Sequence, residues 1–533
     1  MVQTLPYISD ANDHNAISLA AAYYANSLGK FLLDQSPLIK KTFNQWKQEK
    51  TEETSLMSNL SKDQSLKTLL LSETPWVMDA KDEQSQKESL SQFFDENSLS
   101  HQKEHLLAQL KKLQHGDGSF SWWQGMDGSP RMTAQVLMFF IRLNLLSGQQ
   151  QETSAMVNSG FRYLSDIVIK EVKELRKREQ AGKPIYISSY HALQWVYLCA
   201  VSGRTMTAQE KDAADYLIRY LEKQKKSQTL YAKAMMAVVY QKNGQLKKAK
   251  EYIQSLKEYS VYTPEMGRYY DTPRAGYSWC NYRIPTQVSV IEALNIVTPD
   301  DQVTVDEMRR WLLQEKRTTS WDTPINSVNA VYAFLNGHTA ELGNQELSVV
   351  KVDDRELSLP KATAGIGYVK TAIEDTHANT LSVEKKSEGT SWGAVYAQFY
   401  QSLANIESSS SGLSVKREIR HQGGNLKVGD KVTVRLTITA DRDYDYVQVV
   451  DKRAACLEPV NQLSGYHWGY YISPRDCSTN YYFDMMSKGT HVIETEYYID
   501  RVGDYETGSC SVQCAYSPEY NGRAKSQKLT VKE

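Results

Sequence analysis

Hydrophobic and polar positions follow a helical period from about residue 15 to 338, and two kinds of predicted helix alternate there. Amphipathic, charged helices are predicted at 101–114, 163–180, 208–224 and 246–259. Helices that are apolar on nearly every side are predicted at 132–146, 190–201, 230–240, 286–297 and 325–335. A helix with one apolar stripe lies on a surface, whereas a helix that is apolar all round must be covered on every side. The alternation therefore predicts an inner and an outer layer of helices.

Counting weaker opening pairs from residue 17 onward, the alternation occurs about six times. It predicts an α/α toroid over residues 1–338, in which inner helices ring an axis and outer helices wrap them. A tetratricopeptide array is the alternative, because 230–256 resembles that repeat of about 34 residues. The repeat is not sustained elsewhere in the chain, which favours the toroid.

Three aromatic turns join outer to inner helices in this part of the chain, at 116–130, 274–287 and 317–326. In each, a proline stands near the first turn of the following helix, where its fixed φ is favourable. We expect the three turns to meet at one mouth of the ring. Their tryptophans are either a binding platform at that mouth or buried plugs of the ring, since indoles are mostly buried in proteins. These candidate toroid-mouth contacts are Trp122, Trp123, Trp279 and Trp321.

Beyond residue 338 the apolar period changes to two, which is typical of half-buried strands. Strand patterns at 346–352, 355–360, 365–373, 380–386 and 392–401 predict a first β module over 339–406. A serine-rich linker at 406–413 separates it from a second series of strands, spaced as in a β-sandwich over 407–533. The predicted fold class is thus multidomain α and β, an α/α toroid followed by two antiparallel β-sandwich-type modules.

Composition excludes several classes of function. The 62 basic and 63 acidic residues are balanced, so the chain lacks the basic surface with which proteins bind nucleic acids. No apolar run approaches the length of a transmembrane helix, and residues 1–10 lack the features of a secretory signal. The sequence contains no HExxH, phosphate-binding glycine loop or GxSxG motif, and we predict no cofactor and no metal.

Four of the six cysteines lie in the terminal β module, at positions 456, 477, 510 and 514. This clustering favours disulfides and an oxidising compartment over a zinc site, because no CxxC or histidine pair accompanies it. Cys510 and Cys514 share one strand face and would seek partners on neighbouring strands. We predict Cys456 with Cys514 and Cys477 with Cys510, although four cysteines allow three pairings. Export without a signal predicts that the chain is a fragment of a longer protein.

The order of these modules and several motifs resemble the C-terminal part of bacterial α2-macroglobulin-like proteins. The most specific stretches are 445–459, 473–508 and 515–523 in the terminal module, with 113–123 and 317–335 among the helices. The resemblance implies a thioester-type helical domain, the second half of a CUB-like β module and a terminal macroglobulin-type domain. It also implies a periplasmic or cell-envelope location, as a lipoprotein, and target proteases or envelope proteins as partners.

Protease-trapping members of that family carry Cys-x-Glu-Gln after Pro-Tyr-Gly, and the cysteine sulfur and glutamine carbonyl close a reactive thioester. Here Pro6 and Tyr7 match, but Ser9 stands at the cysteine position and Asn12 at the glutamine position. The first cysteine of the chain is Cys199. We therefore predict a degenerate thioester position and a non-covalent, thioester-less protease-trapping inhibitor that is not an enzyme. The alternative is a non-inhibitory module that binds other envelope proteins.

Two enzyme classes also use helical toroids. Residues 114–120 are close to a terpene-cyclase motif, but no DxDD acid cluster occurs. A polysaccharide lyase needs an Asn or Arg to neutralise a uronate and a His or Tyr base. The residues that could fill these roles are Tyr190, His191, Asn281, Tyr282 and Arg283. A capping or core role for His191 is the simpler interpretation, so we assign no catalytic residue.

Overall fold

A computed structural model describes most of the chain, with some single residues beyond the main ranges. These ranges are 4–36 except 12, 89–185, 189–223, 228–263, 266–270, 283–315, 323–337, 348–359, 377–386, 405–515 and 520–533. The described residues fall into two compact units, and the boundary between them in the sequence lies between Ser391 and Trp392. The first is mainly helical and the second consists of β-strands, which confirms the predicted mixed class. The predicted boundaries 1–338, 339–406 and 407–533 remain predictions.

The first unit contains the described helices. They are α1 (Leu5–Ile8), α2 (Ala16–Gln35), α3 (Glu96–Leu113), α4 (Pro130–Ser147), α5 (Gln151–Gln180), α6 (Ser189–Val201), α7 (Ala208–Lys223), α8 (Leu230–Lys242), α9 (Leu246–Glu258), α10 (Arg283–Val297), α11 (Gln302–Gln314) and α12 (Pro324–Leu335). Two of the aromatic turns end in helix caps that the sequence encodes directly. The hydroxyls of Ser129 and Thr323 accept hydrogen bonds from backbone N–H groups of α4 and α12, and Pro130 and Pro324 follow them at the first helical position.

The even-numbered helices from α2 to α12 are buried on nearly all sides. Every residue of α12 from Asn326 to Leu335 is buried, whereas α9 buries only Ala249, Tyr252, Ile253 and Leu256. Each even-numbered helix contacts the next, and α12 contacts α2, so the series of contacts returns to its start. The odd-numbered helices α3, α5, α7, α9 and α11 each pack against one or two of them. Helices that are apolar all round are thus buried on nearly all sides, and helices with a single apolar stripe are buried along that stripe only.

Short strands accompany the helices in the first unit. β1 (Phe120–Ser121) and β2 (Gly128–Ser129) form a hairpin before α4, and β3 (Val261–Thr263) pairs with β4 (Gly267–Tyr269). β5 (Val349–Val352) pairs with β6 (Arg355–Glu356) and β7 (Leu381–Glu384), all antiparallel. This three-stranded sheet is the described portion of the predicted 339–406 module.

The second unit is built on the remaining strands. They are β8 (Ser409–Ser411), β9 (Leu413–Arg420), β10 (Leu426–Lys427), β11 (Lys431–Ala440), β12 (Tyr444–Lys452), β13 (Leu457–Pro459), β14 (Gly465–His467), β15 (Tyr470–Pro474), β16 (Ser478–Met486), β17 (Gly489–Ile499), β18 (Gly503–Glu506), β19 (Cys510–Cys514), β20 (Asn521–Ala524) and β21 (Lys528–Lys532). Eleven of these described strands form one sheet in the order β13-β17-β11-β9-β8-β20-β19-β12-β16-β15-β14. β21 lies between β10 and β18 in a separate sheet.

Strand β20 joins the two halves of the large sheet, because it lies between β8 and β19. A Cβ atom at Gly522 would come within 2.5 Å of the backbone oxygen of Leu413. Only glycine therefore permits β20 to approach β9 this closely.

A buried ion pair holds the same region. The Arg417 guanidinium donates to Asp451 Oδ1 at 2.9 Å and to Thr507 Oγ1 at 2.6 Å, and both charged side chains are 2% exposed. These contacts connect β9, β12 and the segment before β19.

Candidate functional site

Ser9, at the predicted degenerate thioester position, lies at the end of helix α1 and is fixed to helix α2. Ser9 Oγ donates a hydrogen bond to the Pro6 carbonyl oxygen at 2.8 Å, and the Ser9 carbonyl accepts one from Asn26 Nδ2 at 3.0 Å. Leu5 and Ile8 are buried and anchor α1 on its apolar side. The hydroxyl of Ser9 is thus engaged with its own helix. Asn12 lies outside the described residues.

The Trp122–Trp123 turn contacts the segment that follows Ser9. The Trp122 carbonyl accepts a hydrogen bond from the Ala16 N–H at 2.9 Å, and Trp123 Nε1 donates to the Asp13 carbonyl at 3.3 Å. The two indole rings stack with centroids 4.8 Å apart and are 43% and 42% exposed. The structure therefore brings two predicted features together, the degenerate thioester segment and one aromatic turn, on a solvent-exposed surface.

Trp321 does not join them on this surface. Trp321 is only 3% exposed and donates from Nε1 to the Leu312 carbonyl at 3.0 Å, so it packs inside the helical unit rather than forming an open contact. Trp321 thus has the buried environment that was the alternative to a binding platform. Trp279 lies outside the described residues.

A polar network that the sequence analysis missed occupies the interior between four even-numbered helices. The Glu292 carboxylate of α10 accepts hydrogen bonds from Tyr197 Oη of α6 and from Tyr332 Oη of α12, the latter at 2.6 Å. Arg142 of α4 lies over the Tyr332 ring at 4.7 Å and donates to Asn329. A glutamate and an arginine within otherwise apolar helices were the sequence signal for this network.

Burial governs the chemistry of this network. Glu292 is 2% exposed and Arg142 is 3% exposed. Desolvation, reinforced by the Glu292 carboxylate, raises the pKa of Tyr197 and Tyr332 well above the ordinary value. The phenols therefore stay protonated and act as hydrogen-bond donors. Glu292, Tyr197 and Tyr332 are thus buried and bonded to one another between the described helices.

The residues considered for a lyase are only partly described. Arg283 lies over the Trp311 ring at 5.3 Å and faces Glu315 at 3.9 Å, so its guanidinium is engaged within the helical unit. Asn281 and Tyr282 lie outside the described residues, as do the side chains of Tyr190 and His191.

The predicted disulfides do not form in the structure. Cys456 and Cys510 are buried free thiols, and Cys477 is an exposed free thiol, so neither Cys456–Cys514 nor Cys477–Cys510 is bonded. Strand β12 separates Cys477 from Cys510, because Asp451 pairs with Cys510 on one side and with Thr479 on the other. Thr479 and Cys510 are therefore about two strand spacings, roughly 9–10 Å, apart. Cys477 lies two residues before Thr479, so its separation from Cys510 exceeds the usual Cα separation of a disulfide.

Among the described residues, no group of three or more His, Cys, Asp or Glu side chains could hold a metal ion. Within the same ranges, no helix combines the length and the apolar character needed to cross a bilayer.

Comparison with solved structures finds bacterial alpha-2-macroglobulins. Trypsin-activated alpha-2-macroglobulin from Escherichia coli is 16% identical with a TM-score of 0.46, over 82% of this chain and 30% of that chain. The native Escherichia coli protein from domain MG7 to the C-terminus is 14% identical with a TM-score of 0.33, over 94% and 76%. Salmonella alpha-2-macroglobulin reacted with methylamine is 15% identical with a TM-score of 0.33, over 99% and 30%. The chain thus spans about a third of the length of the first of these structures.

A family model gives the more specific result. Residues 405–519 match the bacterial alpha-2-macroglobulin MG10 domain, and this range contains strands β8 to β19. No curated protein matches the sequence. Residues 405–519 are therefore similar to the bacterial alpha-2-macroglobulin MG10 domain, in agreement with the resemblance that the motifs of the terminal module indicated.

Proposed function

We propose that this chain acts in a protease-trapping inhibitor of the bacterial cell envelope that works without a thioester. In this proposal the helices form an α/α toroid equivalent to a thioester domain, and the MG10 domain is a β-sandwich. Trapping rests on a conformational change around an attacking protease, with no covalent bond to it.

The serine at position 9 is the observation that supports the proposal most directly. A thioester needs a thiol and a glutamine carbonyl, and the chain has no cysteine before Cys199. The Ser9 hydroxyl instead donates to the Pro6 carbonyl oxygen at 2.8 Å. An ester from serine would be far less activated towards amines than a thioester, so the covalent step is lost.

The interior of the helices supports a role outside catalysis. A lyase or cyclase needs an open cavity in which a base or acid meets its substrate. Here Glu292, Tyr197 and Tyr332 are buried and bonded to one another. These groups hold helices together and are not presented to a substrate.

Amine reactivity tests the first part of the proposal. We expect the protein to show neither a mass loss equal to ammonia nor an adduct with methylamine at its amino-terminal segment. The variant Ser9→Cys with Asn12→Gln supplies both groups of a thioester, and Ser9→Cys alone is its matched control with a thiol but no glutamine. An adduct on the wild-type protein would overturn the thioester-less assignment.

Protection of a bound protease tests the trapping itself. The full-length protein is mixed with a protease, and the cleavage of a large protein substrate is compared with that of a small peptide. A non-covalent trap slows only the large substrate, and denaturing electrophoresis shows no covalent conjugate with the protease. Equal cleavage of both substrates with every protease tried would instead support a non-inhibitory module that binds other envelope proteins.

A further inference from the structure

Strand β17 has an open edge in the large sheet. On one side it pairs with β11 without interruption from Gly489 to Tyr498. On the other side β13 pairs only with residues 497–499. Among the described residues, no strand pairs with the rest of that side, residues 489–495. At about 3.3 Å per residue, the open edge is about 23 Å long.

A hydrogen bond at the covered end shows which backbone groups of β17 point away from β11. The Val460 N–H donates to the Glu496 carbonyl oxygen at 3.0 Å, so Glu496 faces outward. Because the facing of backbone groups alternates with a period of two in an antiparallel ladder, Thr490, Val492 and Glu494 face outward as well. Their outward N–H and C=O groups have no hydrogen-bond partner within the described part of the chain.

This edge lacks the usual protection against pairing. Native proteins block an edge strand with lysine, proline or a bulge. Residues 489–495 contain neither lysine nor proline, and the continuous register with β11 leaves no bulge. Val492 is 46% exposed near the middle of the edge. Such an edge is a template for another extended polypeptide, because lipids and sugars do not supply the alternating N–H and C=O groups of a strand.

The side chains of the edge are complementary to those of a second copy. When two β17 strands pair antiparallel about Val492, this side chain lies opposite Val492 of the second copy, and Thr490 lies opposite Glu494. Continuing the ladder by one pair places Lys488 opposite Glu496, so opposite charges meet at both ends. Residues 490, 492 and 494 all face outward, and their pairs exchange about six backbone hydrogen bonds.

Other registers that align outward-facing residues are less favourable. Centring the pair on Glu494 places this carboxylate opposite its own copy, and like charges directly opposite each other destabilise a sheet. Centring it between Val492 and Glu494 places a valine opposite a glutamate. Centring it on Thr490 shortens the ladder and places Val492 opposite Lys488. The Val492 register alone among these four combines an apolar centre with opposite charges at both ends.

We propose that two copies of the chain associate through their β17 edges, antiparallel and centred on Val492, so that the large sheet continues across a two-fold axis. The contact is isologous, since each copy contributes the same residues. It involves the second unit alone and does not rest on the protease-trapping proposal.

Sedimentation velocity of the full chain over a wide range of concentrations tests the proposal. We expect an equilibrium between monomer and dimer. Val492→Lys removes the apolar pair and places two ammonium groups opposite each other, so it should raise the dissociation constant of the dimer by about tenfold or more. Thr437→Lys is the matched control, because Thr437 pairs with Val492 on β11 and adds the same charge one strand away from the edge. The control should leave the dissociation constant nearly unchanged.

An exchange of charges tests the register itself. Glu496→Lys should weaken the dimer, because it places two lysines opposite each other. Adding Lys488→Glu should restore the dimer, since residues 488 and 496 lie opposite each other in the Val492 register and in none of the other three. Restored association also shows that the doubly substituted chain folds.

Each other outcome contradicts the inference. A wild-type chain that stays monomeric at every concentration shows that the edge does not pair with itself. A dimer that Val492→Lys leaves intact uses another surface, and failure of the double exchange to restore association overturns the register. Growth into larger assemblies shows heterologous pairing of open edges instead. The urea unfolding midpoint of each variant, compared with that of the wild type, separates a lost contact from a lost fold.

Discussion

Replacing Glu292 by leucine removes the acceptor at the centre of the helical unit. The change leaves the hydroxyls of Tyr197 and Tyr332 without their carboxylate. It also removes the carboxylate whose charge stabilises the buried Arg142 guanidinium electrostatically. A buried hydroxyl that loses its partner costs about 1–3 kcal/mol, and an uncompensated buried charge costs about 3–5 kcal/mol. These terms overlap, so we expect the free energy of unfolding to fall by about 3–5 kcal/mol.

The measurement is urea unfolding followed by far-UV circular dichroism, which reports mainly on the helices. Glu174→Leu is the matched control, because Glu174 pairs with Lys177 on the exposed face of α5 and its loss should have little effect. The double variant Glu292→Leu with Arg142→Leu should be less destabilised than the sum of the two single variants, since no charge then remains unpaired. Strict additivity, or equal effects of Glu292→Leu and Glu174→Leu, would refute the argument that this network is a coupled buried unit.

Three further predictions concern single groups. Trp321→Ala should lower the free energy of unfolding by about 3–5 kcal/mol because the indole is buried, whereas Trp122→Ala, at an exposed ring, should cost much less in the same urea titration. Burial raises the pKa of Asp451, so its contribution to the free energy of unfolding is present below the unfolded-state pKa and is lost as pH rises through the folded-state pKa. Asp451→Asn should therefore reduce the fall in the free energy of unfolding that accompanies a rise in pH above about 4. Iodoacetamide should label the folded protein at the exposed Cys477 and not at Cys510, because burial raises the pKa of the Cys510 thiol well above its ordinary value. Mass spectrometry identifies the labelled residues. A disulfide between Cys477 and Cys510 would contradict the strand order.

The helical elements could be predicted because burial acts on every residue of an inner helix. The predicted helix 230–240 corresponds to α8, Leu230–Lys242, and 132–146 lies within α4, Pro130–Ser147. A segment that is apolar on every side is predicted to be buried on every side. The start of α4 was also encoded locally, by Ser129 and Pro130.

The environments of the loop tryptophans could not be predicted in the same way. Trp122 and Trp321 stand in similar aromatic turns, yet one is 43% exposed and the other 3%. The difference depends on the path of each loop, because Trp321 reaches the Leu312 carbonyl of α11 while the Trp122 turn contacts the backbone of Ala16. Both contacts are tertiary and leave no trace in local spacing.

The cysteine pairing failed for a related reason. Period-2 alternation located the strand that contains Cys510 and Cys514, but it carries no information about which strands are neighbours. β12 lies between β19 and β16, and this order separates Cys510 from Cys477. Sheet order is set by pairings between residues far apart in sequence.

The position of β20 has a consequence for how the large sheet of the second unit is synthesised. Arg523 pairs with Ser409, so strands that emerge from the ribosome more than a hundred residues apart must meet before the two halves of the sheet are joined. Until then, β8 and β19 each present an open edge with unpaired backbone groups, the kind of edge on which nascent chains aggregate. Completion of this sheet should therefore wait for the release of residues 521–524 from the ribosome.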